Sequence, residues 1–220
     1  MLVGHVGVGL ALKKIDPELN AGWLVGASLL SDIVLWILIL VGIEQVTIPA
    51  DFNLKHFLTF DFPLSHSLVA TVLRSAVVFA FAFYFVKKHH RVLAGVAVAL
   101  GVLLHWVGDL LEHPPDLPLA TSSSPKLGLG LWETMPVALG IEILLAALGL
   151  WIYFRLSTEI SSAKKRGMVA LVALVAALTV YGGLFSPPPP GVIPLAASSL
   201  ATNVLLVAIV FWLDRRRTPA

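Results

Sequence analysis

Cysteine is absent from all 220 residues, which excludes disulfides and leaves the redox compartment unread. Charge is the second scarcity. Only 13% of the residues are Asp, Glu, Lys or Arg, about half the share usual in a soluble domain. The deficit is made up by apolar residues, at 58%, with a mean hydropathy of +0.91. These scarcities exclude an ordinary soluble domain and imply an integral membrane protein. The formal charge is +2 and the basic residues gather on no single face, so no nucleic-acid partner is expected. No internal repeat is evident. Its absence, and that of paired discontinuous spans, weighs against a secondary transporter.

What is present is a series of apolar runs near the 17–25 residues that a bilayer requires. Residues 1–12, MLVGHVGVGLAL, are too short to span. Lys13 and Lys14 follow them rather than precede them, so the stretch reads as a retained half-length or interfacial helix. Six spans are expected at 20–43, 67–86, 92–111, 137–154, 167–185 and 192–213. The class expected is therefore all-α: a polytopic transmembrane helical bundle of about six spans plus the N-terminal half-helix. The intervening segments at 44–65 and 112–136 read as polar or irregular loops. Residues 1–154 would form the functional bundle with outer loop 112–136. Residues 155–220, uncharged from Gly167 to Leu213, would form a structural helix pair.

Lys and Arg in short loops set orientation. Six spans put Lys13, Lys14, Lys87, Lys88, Arg91, Arg155, Lys164, Lys165, Arg166 and Arg215 to Arg217 on one side, leaving only Lys55 and Lys126 opposite. Both termini are then expected to be cytoplasmic.

The stretch around which the chain is organised is VLAGVAVALGVLLHWVGDLLEHPPDLP, 92–118. It places His105, Asp109 and His113 at steps of four, on one helical face. Ionisable groups inside a span are costly and are functional candidates by default. Counting 1.5 Å per residue from the basic loops brings Asp32, Arg74, His105 and Glu142 to a similar layer, each roughly 20 Å in. His66 and His113 fall above that layer, and His5 approaches from below.

Imidazoles with carboxylates suit Zn²⁺, with Mn²⁺ or Fe as weaker candidates. Asp32, His66, His105 and Asp109 can make one four-ligand site, and His5 with a bridging Asp109 can begin a second. One or two ions are expected. Arg74 suits a phosphate, because the guanidinium fork matches its oxygens. Hydrolysis of a phosphoester is then the natural chemistry.

The order GH, SLLSDI, SHS, HWVGD resembles the membrane-bound metal-dependent hydrolases of bacterial inner membranes, from His5 to about Pro118. The same ligand order is similar to the zinc-dependent phospholipase C and single-strand nuclease superfamily. The resemblance implies that Asp32, His66, His105 and Asp109 hold one zinc. It also implies that His5 and Asp109 contribute to another, and that Asp109 orients the attacking water. The chain departs from the soluble enzymes in lacking their H-x-x-x-E pair and N-terminal Trp. Only His113 stands for their further His.

The expected function is a metal-dependent hydrolase of a bacterial inner membrane, acting outside on a lipid-derived or phosphoester substrate. Asp109 and Arg74 would be its catalytic residues. The rivals are a metal-ion or proton transporter, and a scaffold whose polar residues only fix helix packing. Glu142 and Asp116 are further candidates. Arg74 and Glu142 can equally pair with each other, and Ser65 or His66 can serve merely as a helix cap. The six Trp residues fall mainly near span ends, where aromatic belts belong.

Overall fold

The structure is a computed structural model that describes residues 1–86, 90–157 and 160–215. Lys87, Lys88, His89, Arg216 and Arg217 of the expected basic turns lie outside the described residues. The class is as expected, an all-α helical bundle. Nine α-helices occur among the described residues: α1 Leu2–Ala11, α2 Ala21–Ser28, α3 Leu30–Leu40, α4 Phe52–Lys55, α5 Leu68–Phe85, α6 Arg91–Glu112, α7 Met135–Leu156, α8 Ser162–Leu184 and α9 Val192–Leu213. Five of these are long and apolar enough to cross a membrane, and α2 with α3 can make a sixth. The chain is a multi-pass membrane protein.

The first expected span is not one helix. Gly26, Ala27 and Ser28 lead into a break at Leu29, where α2 and α3 bend by 53°. Small residues are a recognised cause of such kinks. The segments between spans are also more ordered than their composition suggests. Gln45–Thr47 (β1) pairs antiparallel with Thr59–Asp61 (β2), and Leu117–Pro118 (β3) pairs with Lys126–Leu127 (β4). These short hairpins place Phe60 and Phe62 beside the site and leave the class all-α.

Helix α1 is neither interfacial nor lipid-facing. Seven of its ten residues are buried, and it packs along α7 where two glycines meet. A Cβ on Gly149 would fall 2.0 Å from the Gly7 carbonyl oxygen, so these backbones touch with no room for a side chain. Small residues let membrane helices approach this closely. Helix α6 shows the same economy. Its buried stripe runs Ala94, Val98, Gly101, His105, Asp109 and Glu112, small below and ionisable above. Gly101 lets it close against Ala27 and Ser28 beside the break.

At the end away from this polar cluster, Lys13 Nζ lies 2.7 Å from Asp214 Oδ2 and donates to the Leu19 carbonyl. Tyr153 Oη–H and the Ala21 N–H also donate to Asp214. Lys164 reaches the Arg215 carbonyl nearby. Lys13, the start of α8 and the end of α9 therefore share one end of the bundle.

Candidate metal centre

Five of the expected residues meet. From α6, His105 Nε2 stands 3.0 Å from Asp109 Oδ2, one helical turn on. From the segment before α5, His66 Nε2 comes within 3.1 Å of His105 Nε2 and 3.5 Å of Asp109 Oδ2. Asp32 Oδ1, on α3, lies 3.6 Å from His66 Nε2 and 3.9 Å from His105 Nε2. Donors around a tetrahedral zinc bonded at ~2.0–2.2 Å stand roughly 3.3–3.6 Å apart, and the Asp32, His66 and His105 donors, at 3.1–3.9 Å, are spaced near this. His5, on α1, completes a second group. Its Nε2 is 3.1 Å from Asp109 Oδ1, and its ring stacks on His105 at 3.8 Å between centroids. The two oxygens of Asp109 thus face the two groups, Asp32–His66–His105 and His5–His105–Asp109.

The surrounding bonds decide which nitrogen is available. His105 Nδ1 donates to the Ser28 carbonyl at 2.7 Å, beside the α2–α3 break. Its Nε2 then carries a lone pair in the neutral ring. His66 Nδ1 lies 2.8 Å from Ser65 Oγ, which frees its Nε2 in the same way when Ser65 accepts. Lone pairs from the two imidazoles would then meet the carboxylates of Asp32 and Asp109 in one small space. Such a set repels itself unless a proton or a cation lies among it. Burial pushes the His66 imidazole below its ordinary value of 6.5, so its neutral, metal-competent form is the resting one near pH 7.

The segment carrying His66 is held from three directions. Trp106 Nε1 donates to the His66 carbonyl at 2.9 Å. Glu44 Oε1 accepts from the Leu64 and Ser65 N–H groups. Burial raises the Glu44 carboxyl above its ordinary range, while those bonds and the charge of Arg74 act against the rise. Arg74 donates to the Ser65 carbonyl at 2.8 and 2.9 Å, to the Leu64 carbonyl and to Ser31 Oγ. Its fork is therefore committed to backbone next to two ligand candidates, and it is absent from the cavity lining. The cap of α5 is Ser67, which accepts from the Ala70 N–H. Neither Ser65 nor His66 serves as that cap.

Other expected candidates are placed elsewhere. His113 joins neither donor group. It pairs with Asp116 at 2.9 Å and packs against Trp132. Glu142 does not meet Arg74; its Oε2 accepts the Gly4 N–H at 3.1 Å, which ties the turn carrying His5 to α7. Glu112 was not singled out from sequence, although it continues the His105 stripe by seven residues. It is fully buried, and its Oε2 accepts from Trp132 Nε1 at 3.0 Å. The Met1 amine stands 3.5 Å from that oxygen and 3.6 Å from Asp109 Oδ1. Trp36, Trp106 and Trp132 serve this site, whereas Trp23, Trp151 and Trp212 are exposed as an aromatic belt requires.

Asp32, His66 and Asp109 line a cavity of about 340 Å³, walled also by Trp36, Phe62 and Trp132. Helix α9, expected as half of a purely structural pair, supplies Ser198, Ser199, Thr202 and Asn203 to the same cavity. Comparisons with family models, with curated proteins and with solved structures each give no match.

Proposed function

We propose that the protein is a metal-dependent hydrolase acting on a lipid-derived or other phosphoester substrate at the outer side of a bacterial inner membrane. The observation that carries this reading is the approach of Asp32 and of Asp109 to the His66–His105 pair at 3.0–3.9 Å, with each of these two imidazoles anchored through Nδ1. The resemblance of the GH, SLLSDI, SHS, HWVGD order to membrane-bound metal-dependent hydrolases points the same way. Asp32, His66, His105 and Asp109 would hold one zinc ion, and His5 with Asp109 Oδ1 would contribute to a second. Bound there, zinc would supply an acidified water and polarise a phosphoryl oxygen.

The chain's own residues do the remaining work. Asp109 links the two donor groups, so one carboxylate can both ligate and orient a water between them. Arg74 acts as a positioning residue: it holds the Ser65 carbonyl and Ser31, and so fixes the separation of His66 from Asp32. The aromatic walls exclude bulk water, which strengthens every charge interaction inside.

The test is turnover. Purified protein in lipid, loaded with zinc, should release phosphate or headgroup from phosphoester lipids, stop on chelation and resume when zinc is restored. Zinc uptake into proteoliposomes with no turnover of any phosphoester would overturn the hydrolase in favour of a carrier.

A further inference from the structure

We propose that α9 carries the wall that recognises the substrate's headgroup, and that this headgroup is uncharged and bears hydroxyls, as glycerol or a sugar does. The inference rests on the hydrolase reading only for the word substrate; the binding wall stands on its own observations. Ser198, Ser199, Thr202 and Asn203 sit at positions i, i+1, i+4 and i+5, on one side of a helix without a charge. That side lines the same cavity as Asp32, His66 and Asp109.

Asn203 is the informative residue. As a residue it is only 4% exposed, no hydrogen bond joins its carboxamide to the described residues, and it lines the cavity. A structural Asn in a membrane helix bonds across to a neighbouring helix, whereas this carboxamide is left to the cavity. Ser199 likewise lacks a partner among the described residues. Ser198 and Thr202 spend their hydroxyl protons on the Leu195 and Ser198 carbonyls, so their oxygens remain acceptors.

The wall therefore offers donors and acceptors but no formal charge, which is the complement of hydroxyl groups. Trp36 and Trp132 flank the same cavity and give apolar faces against which C–H edges can rest. A phosphate near the two donor groups would leave its alcohol substituent against α9.

Calorimetric titration of zinc-loaded protein in detergent tests this, with glycerol 1-phosphate, choline phosphate and inorganic phosphate as probes. Glycerol 1-phosphate should bind roughly tenfold more tightly than phosphate, the size of effect that one or two buried hydrogen bonds confer. Asn203→Leu and Ser199→Ala should each remove most of that advantage, with bound zinc and phosphate affinity unchanged. If Asn203→Leu fails to fold, Asn203→Ser and Ser199→Ala carry the test. Equal affinities in the wild type, an advantage that survives the substitutions, or tightest binding of choline phosphate would each overturn the wall. Lipid turnover without the glycerol advantage sinks the wall alone. The glycerol advantage without turnover sinks the hydrolase alone.

Discussion

At the scale of single residues, the centre depends on groups that bear no charge. His105 is aimed by the Ser28 carbonyl, and the His66 segment is aimed by Trp106 Nε1. Partners of this kind typically change metal affinity 10–100-fold. Trp106→Phe should therefore weaken zinc binding by at least about tenfold in a chelator competition with little loss of folded protein. His105→Ala, which removes a donor common to both groups, should leave no zinc above background in elemental analysis. The pH dependence follows from His66. Its pKa is lowered by burial, so protons displace it from a metal only below the ordinary imidazole range. The His66 bond to zinc should therefore persist near pH 7 and be lost only as further acidity protonates this imidazole. A loss beginning well above pH 7 would contradict this.

Much of the set was legible from spacing and depth alone. The four-residue step of His105 and Asp109, the mid-span position of Asp32 and the approach of His5 all follow from helical rise. Arg74 shows where such reasoning stops. Its depth placed it near the site, but three of its four hydrogen bonds go to the backbone carbonyls of Leu64 and Ser65, and backbone partners leave no trace in side-chain identity. The same blindness hid the roles of Ser28 and Trp106. Asn203 was passed over because an uncharged span reads as structural when only charge is counted.

At the scale of elements, the half-helix α1 delivers His5, and its seat against α7 is set by the contact of Gly7 with Gly149. Gly149→Val has no space to fill. It should force the helices apart, cost several kcal/mol and remove the His5 donor group, so that any two-ion stoichiometry falls toward one. Gly140→Ala is the control, since its added methyl meets nothing within 4 Å. That variant should keep full zinc and unchanged thermal stability. Helix boundaries for α5, α6 and α9 could be read closely from hydropathy, because bilayer length and flanking polar residues define them. The break at Leu29 could not: residues 20–43 contain no proline, and the bend is fixed by α6 closing against Ala27 and Ser28 through Gly101.

At the scale of the whole molecule, two polar clusters pin the bundle at separate levels, the donor set and the Lys13–Asp214–Tyr153 knot. Lys13 was expected among the basic residues of one side, yet it and Asp214 are both almost fully buried and paired. Removing one member leaves the other's charge unmatched, at a cost of about 3–5 kcal/mol. Asp214→Asn should lower the thermal unfolding temperature markedly, while molecules that remain folded keep their zinc, because the knot shares no residue with the centre. Sequence reading missed this pairing because the two residues are 201 positions apart and each lies beside other charges.

The proposed hydrolase requires a cation among Asp32, His66, His105 and Asp109. Elemental analysis with X-ray absorption at the zinc edge, on protein purified without a metal-affinity tag, tests it most directly. The account predicts one or two zinc equivalents in a nitrogen and oxygen shell with imidazole scattering, lost in His105→Ala and in Asp109→Asn. Zinc at background in the wild type, or equal zinc in the wild type and both variants, would contradict it.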